Sequence, residues 1–228
     1  TSAQVVNRVR RFFNAQKAGH AGTLDPLASG ILPIAFGEAT KTIPFAVDTL
    51  KEYKFDVSWG QKRDTDDSEG RIVETSGSRP NIEQIKKALP YFLGNINQVP
   101  PNYSAIKVNG QRAYELARNH AIESLPSRKV FVKTFNLKAI IDQDHATFLV
   151  TSGKGTYIRA LARDLAVYLG TVGHVSSLRR LKVGPFSEKD AISLDSLEAL
   201  AHSPATFNSL LPVEVALDGI PAMSLSGE

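Results

Sequence analysis

The sequence predicts an α+β fold, a mixed, mostly antiparallel sheet flanked by helices. Stretches with a two-residue apolar period interleave with stretches of helical period, and most strand-to-strand spacings are too short for crossover helices. The composition is also that of a globular chain, 42% hydrophobic and 22% charged over 228 residues. Such a length builds its own core without disulfides or structural metals. Zero cysteines exclude a disulfide scaffold, a zinc finger, an iron–sulfur cluster and a Cys nucleophile. No run approaches the ~18 apolar residues of a membrane span. The start, TSAQVVNRVRRFF, lacks a secretory core, so a cytoplasmic protein is expected.

Residues 2–15 read as an amphipathic helix with Ser2 as N-cap, since Val5, Val6, Val9, Phe12 and Phe13 recur at helical spacing. Gly19, Gly22, Pro26 and Gly30 break 16–30 into a loop. A short buried strand follows at 31–36 and a helix from about Glu38. Tyr53, Phe55, Val57 and Trp59 alternate strictly, the period of a half-buried strand. The polar run 60–69 reads as a loop before a strand near 71–75, and Asn81 opens a helix to about Leu93. Beyond the Pro-rich 98–103 come a strand at 104–108, a turn at Asn109-Gly110 and a helix at 111–119. Strands are expected at 129–141, 145–151 and 178–184, and helices at 157–169 and 194–201.

The net charge of +4 is unevenly spread: all 27 lysines and arginines fall in 1–189, whereas 190–228 hold only acids. The stretches 107–138 and 154–189 are the most basic, with Tyr114, Phe131 and Tyr157 among the cations. Clustered cations suit a polyanion through counterion release, and interleaved aromatics suit base stacking. Solvated helix faces account for one basic segment equally well.

Nucleotide, dinucleotide, zinc-protease and serine-hydrolase motifs are all missing, and the five histidines form no i,i+4 pair. Carboxylate, tyrosine and arginine must therefore carry any chemistry. The segment GHAGTLDPLASG (19–30) displays Asp25 between Leu24 and Pro26 in a glycine-rich loop. That setting serves a nucleophile or general base, or an ordinary turn before proline. His20 serves equally as a hydrogen-bonded loop histidine. In GKGTYIR (153–159), Arg159 is placed to pair with a carboxylate and Tyr157 to offer a flat face to a base, or the segment is a plain strand-to-helix turn. By periodicity Tyr53 is a core aromatic, and Asp64, Asp66 and Asp67 read as a solvated acidic turn.

The ordered motifs GHAGTLDPLASGILPIAFGEATK (19–41), KEYKF (51–55), GQKRDTDDSEG (60–70), VPPNYSAIKVNGQRAYELAR (99–118), GKGTYIRALARDL (153–165) and HVSSLRRLKVGPF (174–186) resemble the TruB family of tRNA pseudouridine synthases. The resemblance implies the pseudouridine synthase catalytic fold and isomerisation of uridine 55 in the tRNA T loop, by base flipping and without a cofactor or metal. It makes Asp25 the essential aspartate, Arg159 its partner, and Tyr53 the tyrosine that stacks on the target uracil and serves in proton transfer. His20, Tyr157 and Leu178 match positions lining the pocket or supporting flipped nucleotides, and Asp67 matches a polar contact to a neighbouring base.

The implied organisation is a catalytic domain over 1–190 lacking its first strand, with an RNA-clasping insertion at about 101–129. A helical connection over 191–212 and the start of a PUA-like RNA-binding module at 213–228 follow. The expected partner is the tRNA T stem-loop, with no membrane or small-molecule cofactor and a monomeric chain. A non-catalytic tRNA-binding or tRNA-folding module of the same fold is the competing reading. Glycoside hydrolysis needs a second catalytic carboxylate, for which the sequence offers no credible setting.

Overall fold

Helix α1 (Ser2–Phe12) opens with a capping box one residue earlier than the apolar period suggests. The Thr1 hydroxyl accepts from the Gln4 N–H, and the Gln4 side chain accepts from the Thr1 amino group, which satisfies otherwise orphaned donors. The helix stops before residue 15 because Asn14 takes a left-handed φ of 48°. The computed structural model describes residues 1–220 apart from positions 109, 120, 122, 123 and 202. Unit 1 comprises Thr1–Pro26, Gly30–Leu50 and the chain from Leu181 onward, and unit 2 comprises Leu27–Ser29 and Lys51–Arg180.

In unit 1 the expected loop 16–30 contains a strand. β1 (Ala18–His20) pairs antiparallel with β3 (Ile34–Phe36), Ala18 opposite Phe36 and His20 opposite Ile34; between them in the chain, the two-residue β2 (Ser29–Gly30) spans the boundary of the two units. Glycine density hid β1, because glycine carries no side chain to set a period. A 3₁₀ turn over Gly37–Thr42 leads into α2 (Ile43–Asp48), whose early Pro44 fits a first helical turn. Phe13 packs on Phe36 at 4.8 Å and meets Phe207 edge-on at 5.8 Å, while Arg8 is ion-paired to Glu198.

Unit 2 is built on a twisted sheet. Its strands are β4 (Lys51–Trp59), β7 (Gly94–Gln98), β10 (Arg128–Ile140), β11 (His145–Ser152) and β12 (Gly173–Val183), the last continuing into unit 1 after Arg180. The spatial order is β12–β4–β11–β10–β7, and β4, β11, β10 and β7 pair antiparallel in succession. β12 begins five residues before the expected 178, at Gly173. A Cβ there would lie 3.1 Å from both the Ala166 Cβ and the Ser58 carbonyl, so glycine permits the close approach.

Between these strands, β5 (Gln61–Arg63) and β6 (Ile72–Thr75) form a hairpin partly inside the expected loop 60–69. Helix α3 (Ile82–Ala88) is capped by Asn81 and gives way to a 3₁₀ turn at Leu89–Phe92, where Pro90 cannot continue the ladder. A small hairpin of β8 (Lys107–Val108) and β9 (Gln111–Arg112) precedes α4 (Ala113–Arg118). Asn109 of the expected turn lies outside the described residues, as do 221–228 of the expected C-terminal module. Helix α5 (Ile158–Tyr168) follows β11, and β13 (Phe186–Ser187) and α6 (Leu194–Ala199) belong to unit 1.

The unit 2 core sits between the sheet and α3 and α5. Phe55, Phe148 and Phe135 are buried together, Phe55 stacked on Phe148 at 5.5 Å, with Trp59 edge-on to Phe148 at 6.2 Å. Each such side chain contributes about 1.5–3 kcal/mol on burial. The core thereby fixes the ends of β4 and α5, where the candidate side chains sit. No helix among the described residues is long and apolar enough to cross a membrane.

Candidate active site

Helix α5 brings an arginine into the interior. Ile158, Leu161, Ala162 and Leu165 bury its apolar face, and Arg159 is drawn in with them to 3% exposure. A guanidinium taken out of water loses several kcal/mol of hydration unless acceptors replace it. Arg159 donates to the Thr65 carbonyl at 2.7 Å and the Tyr103 carbonyl at 3.0 Å, and it faces the Asp67 carboxylate at 3.4 Å. The exposed arginine of a plain strand-to-helix turn is therefore not what the fold contains.

Asp67 is buried as well, at 2% exposure, so the acidic run 64–67 is not a solvated turn throughout. Its Oδ1 accepts from the Thr65 hydroxyl at 2.6 Å and the Glu69 N–H at 3.1 Å, leaving Oδ2 toward Arg159. The backbone around it is tied to β12. The Val175 N–H donates to the Asp66 carbonyl at 3.1 Å, and the Ser68 N–H donates to the Val175 carbonyl at 3.0 Å. Asp66 takes a left-handed φ of 60°, and burial pushes its carboxyl above the ordinary 3.8 even though the Arg163 guanidinium 2.8 Å away pulls it down.

The entry to α5 is held by Gln98, the fully buried last residue of β7. Its side-chain amide bonds Tyr157 twice, accepting from the Tyr157 N–H at 2.8 Å and donating to its carbonyl at 3.1 Å. The Tyr157 carbonyl also accepts the first intrahelical bond, from the Leu161 N–H at 3.1 Å, so Gln98 ties the N-cap residue of α5 to the end of β7. Tyr53 lies on β4 opposite Val150 of β11, half-buried against the same apolar cluster that contains Leu178. The structure thus places Tyr53, Asp67, Tyr157, Arg159 and Leu178 in unit 2, with Arg159 and Asp67 in direct contact.

Asp25 and His20 belong to unit 1. The chain entering Asp25 is pinned by Ser2, whose hydroxyl oxygen accepts from the Leu24 N–H at 2.9 Å and whose hydroxyl donates to the Leu24 carbonyl at 3.4 Å. Pro26 restricts the other side, so the Asp25 backbone is fixed from both directions and its side chain is left half-buried. His20 ends β1 and is half-buried, next to Gly19, where a Cβ would meet the Ile43 side chain at 2.7 Å.

Gln98 and Arg163 escaped the sequence reading, and Asp66, read with its neighbours as a solvated turn, is buried. The i,i+4 spacing of Arg159 and Arg163 on an apolar helix was a usable signal, because both then share one face. Nothing in the sequence marks Gln98, which acts on a residue 59 positions away.

Comparison with known proteins adds an independent line. Residues 10–158 match the model for "TruB family pseudouridylate synthase (N terminal domain)", and residues 159–218 match that for "tRNA pseudouridylate synthase B C-terminal domain". A tRNA pseudouridine synthase B of Caulobacter vibrioides is 56% identical, the alignment covering 100% of this chain and 74% of that protein. The protein of the same name from Rhodospirillum rubrum is 54% identical, covering 99% and 73%.

Among solved structures, a chain in the crystal structure of a Cbf5–Nop10–Gar1 complex aligns with a TM-score of 0.74 and 28% identity, covering 96% of this chain and 58% of that one. A chain in the structure of an H/ACA RNP bound to a substrate RNA containing 2′-deoxyuridine aligns at 0.70 and 25%, covering 96% and 57%. The chain thus spans about three quarters of these curated relatives and under three fifths of these structural neighbours.

Proposed function

The chain belongs to the TruB family of pseudouridylate synthases, isomerases that turn uridine into pseudouridine in tRNA, and we propose that it acts on uridine 55 of the T loop with Asp25 as its essential carboxylate. The observation that carries the reading on the protein side is the buried Arg159 in the matched motif GKGTYIR, held by two carbonyls and a carboxylate. An arginine fixed at that cost suits electrostatic work on a negative charge.

The reaction breaks the N1–C1′ glycosidic bond, turns the uracil and joins C5 to C1′. The C5 proton leaves and N1 regains one, so atoms and electrons balance within the nucleotide and no cofactor is called for. A uridine inside a folded loop is out of reach until it is flipped and held by stacking. Tyr53 supplies the aromatic face and a phenol for proton transfer, while His20, Tyr157 and Leu178 each line the pocket or support flipped nucleotides. Asp25 attacks sugar or base, or removes a proton from the sugar, with Arg159 in the role of its partner. Asp67 holds Arg159 and contacts a neighbouring flipped base. The basic stretch within 101–129 clasps the T loop, and the enzyme works as a monomer in the cytoplasm.

The test is tritium release from unmodified tRNA carrying [5-³H]uridine, because only C5–C1′ bond formation expels that proton. Release stoichiometric with tRNA and abolished by a U55C substitution is expected. Tight binding without release would favour the tRNA-folding reading, and release unaffected by U55C would overturn the assigned position.

A further inference from the structure

A second ion pair lies one helical turn beyond Arg159. Arg159 and Arg163 leave the same face of α5, and both reach the same two stretches of chain. Arg159 takes the carbonyls of Thr65 and Tyr103, while Arg163 takes the Asp66 carboxylate at 2.8 Å and the Val99 carbonyl at 2.7 Å. Asp66 stands between the two residues of its turn that face Arg159, Thr65 and Asp67. It is 6% exposed and holds a left-handed φ of 60°, which aspartate and asparagine adopt more readily than other side chains. On the other stretch, Pro100 and Pro101 follow Val99 and fix two successive φ angles, so anchoring Val99 constrains where Tyr103 can lie.

We propose that the Arg163–Asp66 pair is a positioning device for Arg159. Through Asp66 it fixes the turn that presents the Thr65 carbonyl and the Asp67 carboxylate, and through Val99 it fixes the segment that presents the Tyr103 carbonyl. The inference rests on Arg159 acting in the reaction. Arg163 also bonds Asp164 at 2.9 Å, its neighbour on the helix, which restrains the guanidinium without linking it to either stretch.

The experiment compares Arg163→Met, Arg163→Lys, Asp66→Asn and the Met/Asn double variant with the unsubstituted chain on unmodified tRNA, reading single-turnover rate, tRNA affinity and melting temperature. Misplacement of a working group by about 1 Å costs up to ~100-fold in rate, so Arg163→Met should lose roughly tenfold to a hundredfold in single-turnover rate with affinity changed less than about threefold. Arg163→Lys, which keeps the charge opposite Asp66, should recover part of the loss. The double variant should be no slower than Arg163→Met, since one interaction is removed by either change.

A folded Arg163→Met enzyme with the unsubstituted rate overturns the proposal, as does a melting loss alone with no change in rate. Should Arg163→Met fail to fold, Asp66→Asn carries the same test, because asparagine tolerates the left-handed turn. An Arg159→Met control separates the two failures: a full rate there removes the role of Arg159 itself, whereas a dead control beside a fully active Arg163→Met enzyme removes only the pair.

Discussion

Asparagine at position 25 removes one negative charge and little else, so it isolates the chemistry that the proposed function assigns to Asp25. Ser2 and Pro26 fix the backbone on either side of Asp25, so the Asp25→Asn chain should keep the path of this loop. Single turnover should fall below detection, while tRNA affinity holds or rises as repulsion from phosphates is relieved. Near-normal turnover would return Asp25 to the role of a turn residue. At this scale the sequence was legible in part. The unusual setting of Asp25 stood out, but its role came from the family resemblance and not from composition. Local context reads Asp67 as part of a solvated turn and leaves Arg159 between a carboxylate's partner and an exposed turn, whereas Arg159 is held by Thr65 and Tyr103, 94 and 56 positions away. No window along the chain contains such partners.

Several exposed cations sit on secondary-structure elements between residues 107 and 133. Lys107 on β8, Arg112 on β9, Arg118 on α4, and Arg128 and Lys129 on β10 are all exposed, and Lys129, Phe131 and Lys133 alternate with the buried Val130 and Val132. Charge reversal at several of the five should weaken tRNA binding and flatten its salt dependence by roughly 0.7–0.9 in log–log slope per lost phosphate contact. An unchanged slope would place the RNA on other elements.

A second element-scale test concerns α3. Asn81 accepts from the Gln84 N–H at 2.9 Å, and Asn81→Ala should cost about 1 kcal/mol in urea unfolding. That helix start was legible because capping is local chemistry, as was the alternation of β4. Strand β1 and the start of β12 were not, because glycines at 19 and 173 interrupt the side-chain pattern that reports a strand. The β5–β6 hairpin was hidden for another reason: its polar residues leave no apolar period to read.

For the molecule as a whole, a loss of stability in acid is expected from a histidine that the mechanism does not use. His174 is 3% exposed at the start of β12, and its Nδ1 lies 2.9 Å from the Gln61 carbonyl. A carbonyl can only accept, so Nδ1 carries the hydrogen. Burial lowers its pKa below the ordinary 6.5. Arg63 and His145 push the same way, and the Gln61 carbonyl and Asp67 oppose them.

A histidine with a depressed folded pKa leaves the unfolded chain binding more protons below 6.5, so stability rises with pH there. The contribution is present in full above 6.5 and drains away as pH falls through the folded value. Asp66 and Asp164, both raised above 3.8 by burial, act in the opposite sense, since their ionisation costs the folded state stability as pH climbs past the ordinary carboxylate value. The urea midpoint should therefore drop between about pH 7.5 and pH 5.5, and His174→Asn, whose amide N–H can still reach Gln61, should flatten that drop. An equally steep decline in the asparagine variant would assign the acid sensitivity to other groups.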